Sequence, residues 1–261
     1  MIILEKLHQE EKDGWVRHQK HPMLPLSVWN YTQQTQYEGA WNELRRAARG
    51  LILDDSGEIV GRPFDKFFNL EENRHTPTNQ FEVFEKMDGS MITAFVYDEE
   101  LVVASRGSFI SDQAIKAKEI LFRSFRKPLI RGLTYIFEVL YPENRIVVDY
   151  KGEYLTLLGA RWAESGEELP YNELLNLGFD VVKKYDGIKD YKSLRETFDG
   201  ENREGFVVRF SNGDRCKLKY EEYIRLHRIC TNLSSKIIWE SLRNKKKLDL
   251  EGIPDELFNR I

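Results

Sequence analysis

Phe81-Glu82-Val83-Phe84-Glu85-Lys86-Met87-Asp88-Gly89-Ser90, continued by Met91-Ile92-Thr93-Ala94-Phe95-Val96-Tyr97, is the stretch on which the reading of the fold turns. Phe81, Val83 and the β-branched and aromatic residues from Ile92 onward predict two strands, with the polar run Lys86-x-Asp88-Gly89-Ser90 where they meet. That places one lysine at a bend between strands. Gly89 lets the backbone bend or approach a ligand closely, while Asp88 and Ser90 set oxygen groups beside the amine. An amine held there can be a nucleophile if burial or neighbouring cations keep part of it neutral. Taken alone, the same residues also fit a lysine on a hairpin loop.

With 261 residues, 41% hydrophobic and 12% aromatic, the chain can bury the core of one large domain, or of a domain with an appendage. Two cysteines, Cys216 and Cys230, are too few for a disulfide framework, and no apolar run is long enough for a signal peptide or a membrane span. The expectation is a soluble intracellular, cytoplasmic protein with no membrane partner. Its net charge of −4 is unevenly spread. From Arg215 to Lys247, ten basic residues stand against three acidic ones, a balance of +7 that leaves −11 for the rest of a chain totalling −4.

Upstream of the lysine, Pro22, Pro25 and the run Thr32 to Gln36 interrupt any long helix, Leu26, Val28 and Trp29 fit a short strand, and Trp41 and Leu44 fall at helical spacing. Leu51-Ile52-Leu53, the turn Asp54-Asp55-Ser56-Gly57 and Ile59-Val60 predict a hairpin whose return limb runs on from Arg62 to Leu70. Alternation would set Phe64, Lys66 and Phe68 on one face, where the lysine either snorkels to solvent or reaches into a site.

Downstream, the turn Asp98-Glu99-Glu100 and Leu101 to Ala104 complete a three-stranded meander that ends in Ser105-Arg106-Gly107-Ser108. Ser111 or Asp112 caps a helix to about Phe125, with Ile115, Leu121, Phe122 and Phe125 on its apolar face and Pro128 as its stop. Tyr135 to Leu140 is a strand carrying Glu138 in an apolar run, and a carboxylate there must be paired, functional or at an edge. Tyr154 to Trp162 reads as a strand, and Tyr171 to Leu177 and Tyr191 to Phe198 as short helices. Glu204 precedes the strand Gly205 to Phe210. Arg215 to Lys219 then returns beside it with Lys217 and Lys219 on one face. A helix from Glu221 to about Arg243 follows, with Ile224, Leu226, Ile229, Leu233, Ile237, Ile238 and Leu242 apolar.

The order Lys86-x-Asp88-Gly89-Ser90, Phe137-Glu138, Glu204-Gly205, Lys217-x-Lys219 resembles the ordered motifs of the covalent nucleotidyltransferases, which include polynucleotide ligases and messenger-RNA capping enzymes. Ala48-Arg49-Gly50-Leu51, Phe64-x-Lys66-Phe67-Phe68-Asn69 and Asn144-Arg145-Ile146-Val147-Val148 make the resemblance narrower: they look like the RNA ligase 1 family, the phage type that reseals broken transfer RNA. The resemblance runs from about Arg49 to His227. It departs at Arg106, where that family often has lysine, and the family's helical C-terminal domain, tied to transfer-RNA preference, is expected to be missing or reduced. The implied fold is α+β, with packed, mostly antiparallel sheets around an ATP cleft. An adenylyltransferase domain over 1–220 and a helical extension over 221–261 are expected, in a monomer of phage, viral or cellular origin.

The resemblance also implies roles. Lys86 attacks the α-phosphorus of ATP, forming a lysyl-AMP phosphoramidate and releasing pyrophosphate. A lysine amine has a reference pKa of about 10.4, and Lys217, Lys219 and a divalent cation would each favour its neutral form while offsetting phosphate charge. Arg49 and Lys66 would hold the β- and γ-phosphates, Glu138 the ribose, and Ile146 or Val147 one wall of the adenine site. Phe68, Glu85, Gly89 and Arg106 complete the expected ATP-binding set. Asp88, Glu138 and Glu204 form the expected metal set for Mg²⁺ or Mn²⁺. AMP would pass to an RNA 5′-phosphate, and a 3′-hydroxyl would then displace it, with backbone phosphates on the Arg215 to Lys247 segment. On that reading unstructured RNA ends are joined about as well as a nicked transfer RNA. A DNA ligase or capping enzyme is the nearest alternative, which the Arg49 and Lys66 pair argues against. A non-catalytic RNA-binding module that kept the fold is another, opposed by the presence of every charged motif position. P-loop and dinucleotide enzymes are excluded by the absence of G-x-x-x-x-G-K-[ST] and G-x-G-x-x-G.

Overall fold

The structure is a computed structural model that describes residues 2–124 and 129–232. The chain opens with α1 (Ile2–Lys12), β1 (Val16–Lys20) and β2 (Leu26–Tyr31), followed by the short α2 (Gln33–Glu38) and α3 (Glu43–Ala47). The Thr32 side chain caps α2 by accepting from the Thr35 N–H, and Asn42 caps α3 in the same way at Arg45, so the Gln/Thr-rich run forms a turn and a half of helix. Next come β3 (Arg49–Asp54), β4 (Ile59–Gly61), β5 (Phe68–Asn69), β6 (Phe81–Lys86), β7 (Ser90–Tyr97), β8 (Glu100–Ser105), α4 (Asp112–Ser124), β9 (Leu133–Leu140) and β10 (Tyr154–Trp162). The chain continues through α5 (Tyr171–Leu174), β11 (Lys184–Tyr185), α6 (Leu194–Thr197), β12 (Gly205–Phe210), β13 (Arg215–Lys219) and α7 (Glu221–Asn232).

The chain divides into two compact units. The first comprises residues 1–67, 89–144 and 151–182 and holds two antiparallel sheets, ordered β1-β2-β3-β4 and β10-β9-β7-β8. All six residues of β2 and all eight of β9 are buried, as suits strands flanked on both sides. Leu7 of α1 packs with Trp29, Leu51 and Leu53 over the first sheet, and Ala117, Ile120 and Leu121 of α4 pack with Phe137 and Leu157 over the second. Among the described residues the second unit comprises 68–88, 145–150 and 183–232; its sheet is ordered β11-β6-β12-β13-β5, antiparallel except between β13 and β5. Phe206, Val208, Phe210, Cys216 and Leu218 form its core with Val83 and Tyr223. Among the described residues no helix is long and apolar enough to cross a membrane.

Several expectations are corrected. β6 and β7 pair with different partners in different sheets, so Lys86 ends a strand and is on no hairpin; the backbone crosses from one unit to the other between Asp88 and Gly89. The meander is therefore a two-stranded hairpin of β7 and β8, and β9 is the other neighbour of β7. The hairpin of β3 and β4 forms, but the return limb ends at Gly61; residues 62–67 are not a strand, and Phe68 lies in β5 of the second unit, so Phe64, Lys66 and Phe68 share no face. In α4 the buried face is Ala114, Ala117, Ile120 and Leu121, whereas Ile115 and Phe122 are exposed. Small alanines let the helix lie close to its sheet, a feature that side-chain hydrophobicity alone obscures. Phe125, Pro128 and the segment from Leu233 to Leu242 lie outside the described residues. α1 and β1 were not expected, because α1 buries little more than Leu7 completely and its stripe is faint.

Candidate active site

The second unit brings three of the predicted groups together through strand register. Gly205 of β12 stands opposite Lys86 of β6 on one side and Lys219 of β13 on the other. Two lysines from non-adjacent strands thus flank the residue that follows Glu204. The backbone of Gly205 has φ of +148°, and a Cβ built there would lie 2.0 Å from the Leu218 carbonyl oxygen, so no side chain fits at that point. Glu204 is 3% exposed, and its two carboxylate oxygens accept from Lys86 Nζ and Lys219 Nζ, each at 2.8 Å. Burial opposes its ionisation, but the charges of Lys86 and Lys219 and their hydrogen bonds outweigh that and hold its pKa below the ordinary glutamate value. Lys217 lies two residues before Lys219 on the same face, with Cys216 and Leu218 turned into the core.

Asp88, two residues after Lys86, is 2% exposed and fully engaged. One oxygen accepts from the Tyr223 hydroxyl at 2.6 Å, and the other from the Val147 and Val148 N–H groups at 2.9 and 2.8 Å. Its own N–H donates to Tyr150 at 3.1 Å. Desolvation, with Glu204 and Asp88 adding to it, raises the Tyr223 pKa, so the phenol keeps its proton and donates. Desolvation likewise leads the upward shift at Tyr150. This carboxylate ties the end of β6 to the 145–150 segment and to α7. Asp88→Ala would leave two buried N–H groups and a phenol without their acceptor, and we expect a loss of about 2–4 kcal/mol in denaturant unfolding, with Asp88→Asn milder. An unchanged midpoint for Asp88→Ala would contradict this role.

The first unit carries a cationic group around Tyr31. Lys66 Nζ lies 5.5 Å from the Tyr31 ring centre and 5.4 Å from that of Trp41, and donates to Gln36 at 2.9 Å. The Arg106 guanidinium lies 5.3 Å over the same tyrosine and donates to its hydroxyl at 3.1 Å. Arg49, the first residue of β3, donates to the Phe64 carbonyl and to Met91 Sδ. Its pKa is lowered, chiefly by desolvation and further by Arg106, while Tyr31 acts in the opposite direction. Two cations held against one tyrosine ring, with a third, the Arg49 guanidinium, over Phe67 in the same unit, suit a multiply charged anion better than a single phosphate. In the same unit Gly89 donates its N–H to Glu138 Oε1 at 3.1 Å. A Cβ at Gly89 would meet the Val139 carbonyl oxygen at 2.5 Å, so the close approach of β7 to interior strand β9 depends on glycine. Glu138 is thus at no sheet edge, and its carboxylate has a backbone partner.

The remaining predicted residues are more dispersed. Phe68 is buried, with its ring beneath the Arg74 guanidinium. Glu85 precedes Lys86 and so points to the other face of β6. Val147 is buried in the core of the second unit and gives its N–H to Asp88, whereas Ile146 keeps partial exposure. An adenine wall built from this stretch would use Ile146. Tyr31, Trp41, Tyr150 and Tyr223 were not singled out from the sequence. For Tyr223 the signal was position: four residues after Lys219 in the first turn of α7, it is buried in the place the sequence reading gave to Ile224.

For a divalent cation the donor chemistry fits in one way. Glu204 and Asp88 supply oxygen, which Mg²⁺ and Mn²⁺ prefer, but both oxygens of each already accept hydrogen bonds. Such groups would hold the ion through its bound waters, with Glu204 the nearer to Lys86.

Comparison with known proteins agrees with this fold. The chain matches a putative ATP-dependent DNA ligase from Aquifex aeolicus with a TM-score of 0.61 and 20% identity, covering 98% of this chain and 69% of that one. An archaeal ATP-dependent RNA ligase gives a TM-score of 0.61 at 17% identity, over 98% of this chain and 73% of that one. The molecule therefore has the ligase-type nucleotidyltransferase fold. A family model described as RNA ligase matches residues 47–224, and the chain belongs to that family. A putative RNA ligase of Thermovibrio ammonificans is 33% identical over 211 residues, which cover 73% of this chain and 55% of the relative, so this chain spans about half of that protein's length.

Proposed function

We propose that this protein is an ATP-dependent RNA ligase that joins 5′-phosphate and 3′-hydroxyl RNA ends through a lysyl-AMP intermediate. The observation that carries the reading is the strand register that sets Lys86 and Lys219 on either side of Gly205, with Glu204 gripping both amines. Lys86 Nζ attacks the α-phosphorus of ATP; a P–N bond forms, the α–β P–O bond breaks, and pyrophosphate leaves. The amine must first lose a proton. Glu204 is within reach, but its lowered pKa makes it a weak base, so it orients the amine and the proton passes to solvent or to the departing pyrophosphate. Lys217 and Lys219 stabilise charge on the transferring phosphoryl group. The RNA 5′-phosphate then takes AMP from the lysine, forming a P–O–P linkage as the P–N bond breaks, and the 3′-hydroxyl attacks that end with release of AMP. A bound Mg²⁺ or Mn²⁺ would neutralise phosphate charge. Glu138 holds the ribose, and Arg49, Lys66 and Arg106 take the β- and γ-phosphates. Nicked transfer RNA belongs to the substrate class, and the enzyme acts as a monomer.

The test is joining of end-labelled single-stranded RNA bearing these termini, with ATP and Mg²⁺, beside the DNA of the same sequence. Sealed RNA is expected; sealing of DNA alone would overturn the substrate assignment. Arg49→Ala and Lys66→Ala should slow adenylylation by about 10²-fold or more, the usual scale for losing one charge-stabilising donor, and spare sealing of pre-adenylated RNA, which carries no leaving pyrophosphate. Equal damage to both reactions would show that these residues serve the RNA or the fold.

A further inference from the structure

Outside the proposed catalytic groups, the first unit gathers two histidines on one carboxylate. His8 and Glu11 lie three residues apart on α1, hence on one helix face, and His18 is on β1. His18 Nδ1 is 2.7 Å from Glu11 Oε1 and His8 Nδ1 is 3.5 Å from Glu11 Oε2; one ligand atom from each residue lies within 4.8 Å of the others. The rings are positioned by packing: both pack against fully buried Trp29, with centroid separations of 5.0 Å for His8 and 4.6 Å for His18. The Glu11 carboxylate is steadied by the His18 N–H at 3.2 Å. We propose that His8, Glu11 and His18 form a zinc site that clips α1 to β1.

The donor set decides the metal. Two imidazoles and a carboxylate suit Zn²⁺ or a similar borderline ion, whereas Mg²⁺ takes oxygen ligands and would not compete. Zinc–nitrogen bonds of about 2.0–2.1 Å put tetrahedral donors about 3.3 Å apart, so the wider separations, up to 4.8 Å, must close and the 2.7 Å His18–Glu11 pair must open, by rotation of the side chains. On binding, the Nδ1 proton that His18 shares with Glu11 moves to Nε2, leaving Nδ1 and the carboxylate to the metal. The His8 side chain is 48% exposed, which leaves one side of the ion open to water as a fourth ligand. A hydrogen bond between His18 and Glu11 alone would give no reason for a second imidazole on the same carboxylate. The clip would brace β1, which pairs with β2 and through it with β3, the strand that begins at Arg49.

The test is zinc titration of the whole protein in excess Mg²⁺, by competition with a chromophoric chelator, together with thermal unfolding. Wild type and a His75→Gln control should bind one Zn²⁺ per chain and melt at higher temperature with it. His8→Gln, Glu11→Gln and His18→Gln should each lose affinity by more than about tenfold, since even groups that only support a ligand cost that much. Their zinc-dependent melting shift should disappear, with unchanged circular dichroism. Equal zinc affinity in wild type and all three variants, or no binding by any, would overturn the site. Lysyl-AMP formation by the same samples is a separate measurement, so failure here leaves the ligase reading intact.

Discussion

Lys86→Met should form no detectable covalent adduct with ATP, a loss on the order of 10⁴-fold or more, as expected when a covalent nucleophile is deleted. The variant should nevertheless fold. Methionine keeps most of the aliphatic stem, and Glu204 retains Lys219 at 2.8 Å, so the buried carboxylate is not stranded without a cation. Circular dichroism and a denaturant midpoint close to wild type would establish that the missing adduct reflects chemistry. A Lys86→Met protein that still became labelled would move the nucleophile elsewhere.

Glu204→Ala should be damaging in both respects. Two ammonium groups, only 19% and 23% exposed, would lose the carboxylate between them. We expect a stability loss of about 3 kcal/mol, the low end for breaking a buried ion pair because some solvent reaches both amines. Adenylylation should fall by about 10²-fold or more as Lys86 loses its orientation. Glu204→Gln separates charge from shape: it keeps an oxygen acceptor and should recover part of the stability with little of the activity. The pH dependence is distinctive. The lowered folded-state pKa of Glu204 means that its contribution is complete above the ordinary glutamate value of about 4.3 and is lost as pH falls through the folded value. Wild type should therefore lose stability in that acid range more steeply than Glu204→Gln. Parallel curves would show that Glu204 carries no such ion pairs.

Strand residues were the most legible part of the sequence. β10, β12 and β13 fall on the expected residues because alternation and the Ser211 to Asp214 turn specify them locally. What local pattern could not reveal was partnership. Lys86 and Ser90 are four residues apart, yet their strands belong to different sheets, a choice made by the pairing of β6 with β12 more than a hundred residues later. The roles of Asp88 and Glu138 were hidden for the same reason: their partners are Tyr223 and two backbone N–H groups in one case and the Gly89 N–H in the other. The Tyr31 platform was invisible because a tyrosine ending an apolar strand reads as core, and only the fold sets Lys66 and Arg106 against its ring. The His8, Glu11 and His18 group escaped notice through a weak helix signal; histidines seven and ten residues from a glutamate or each other mean little until α1 turns back on β1.

In the proposed reaction one amine, that of Lys86, carries the adenylyl group. Incubation with ATP and Mg²⁺, then proteolysis and tandem mass spectrometry under conditions that preserve a phosphoramidate, locates the modification directly. A single AMP is expected on the peptide spanning Phe81 to Met91, assigned to Lys86 and discharged on addition of 5′-phosphorylated RNA. AMP on Lys217, Lys219 or another residue, or no adduct from protein that seals RNA, would contradict it.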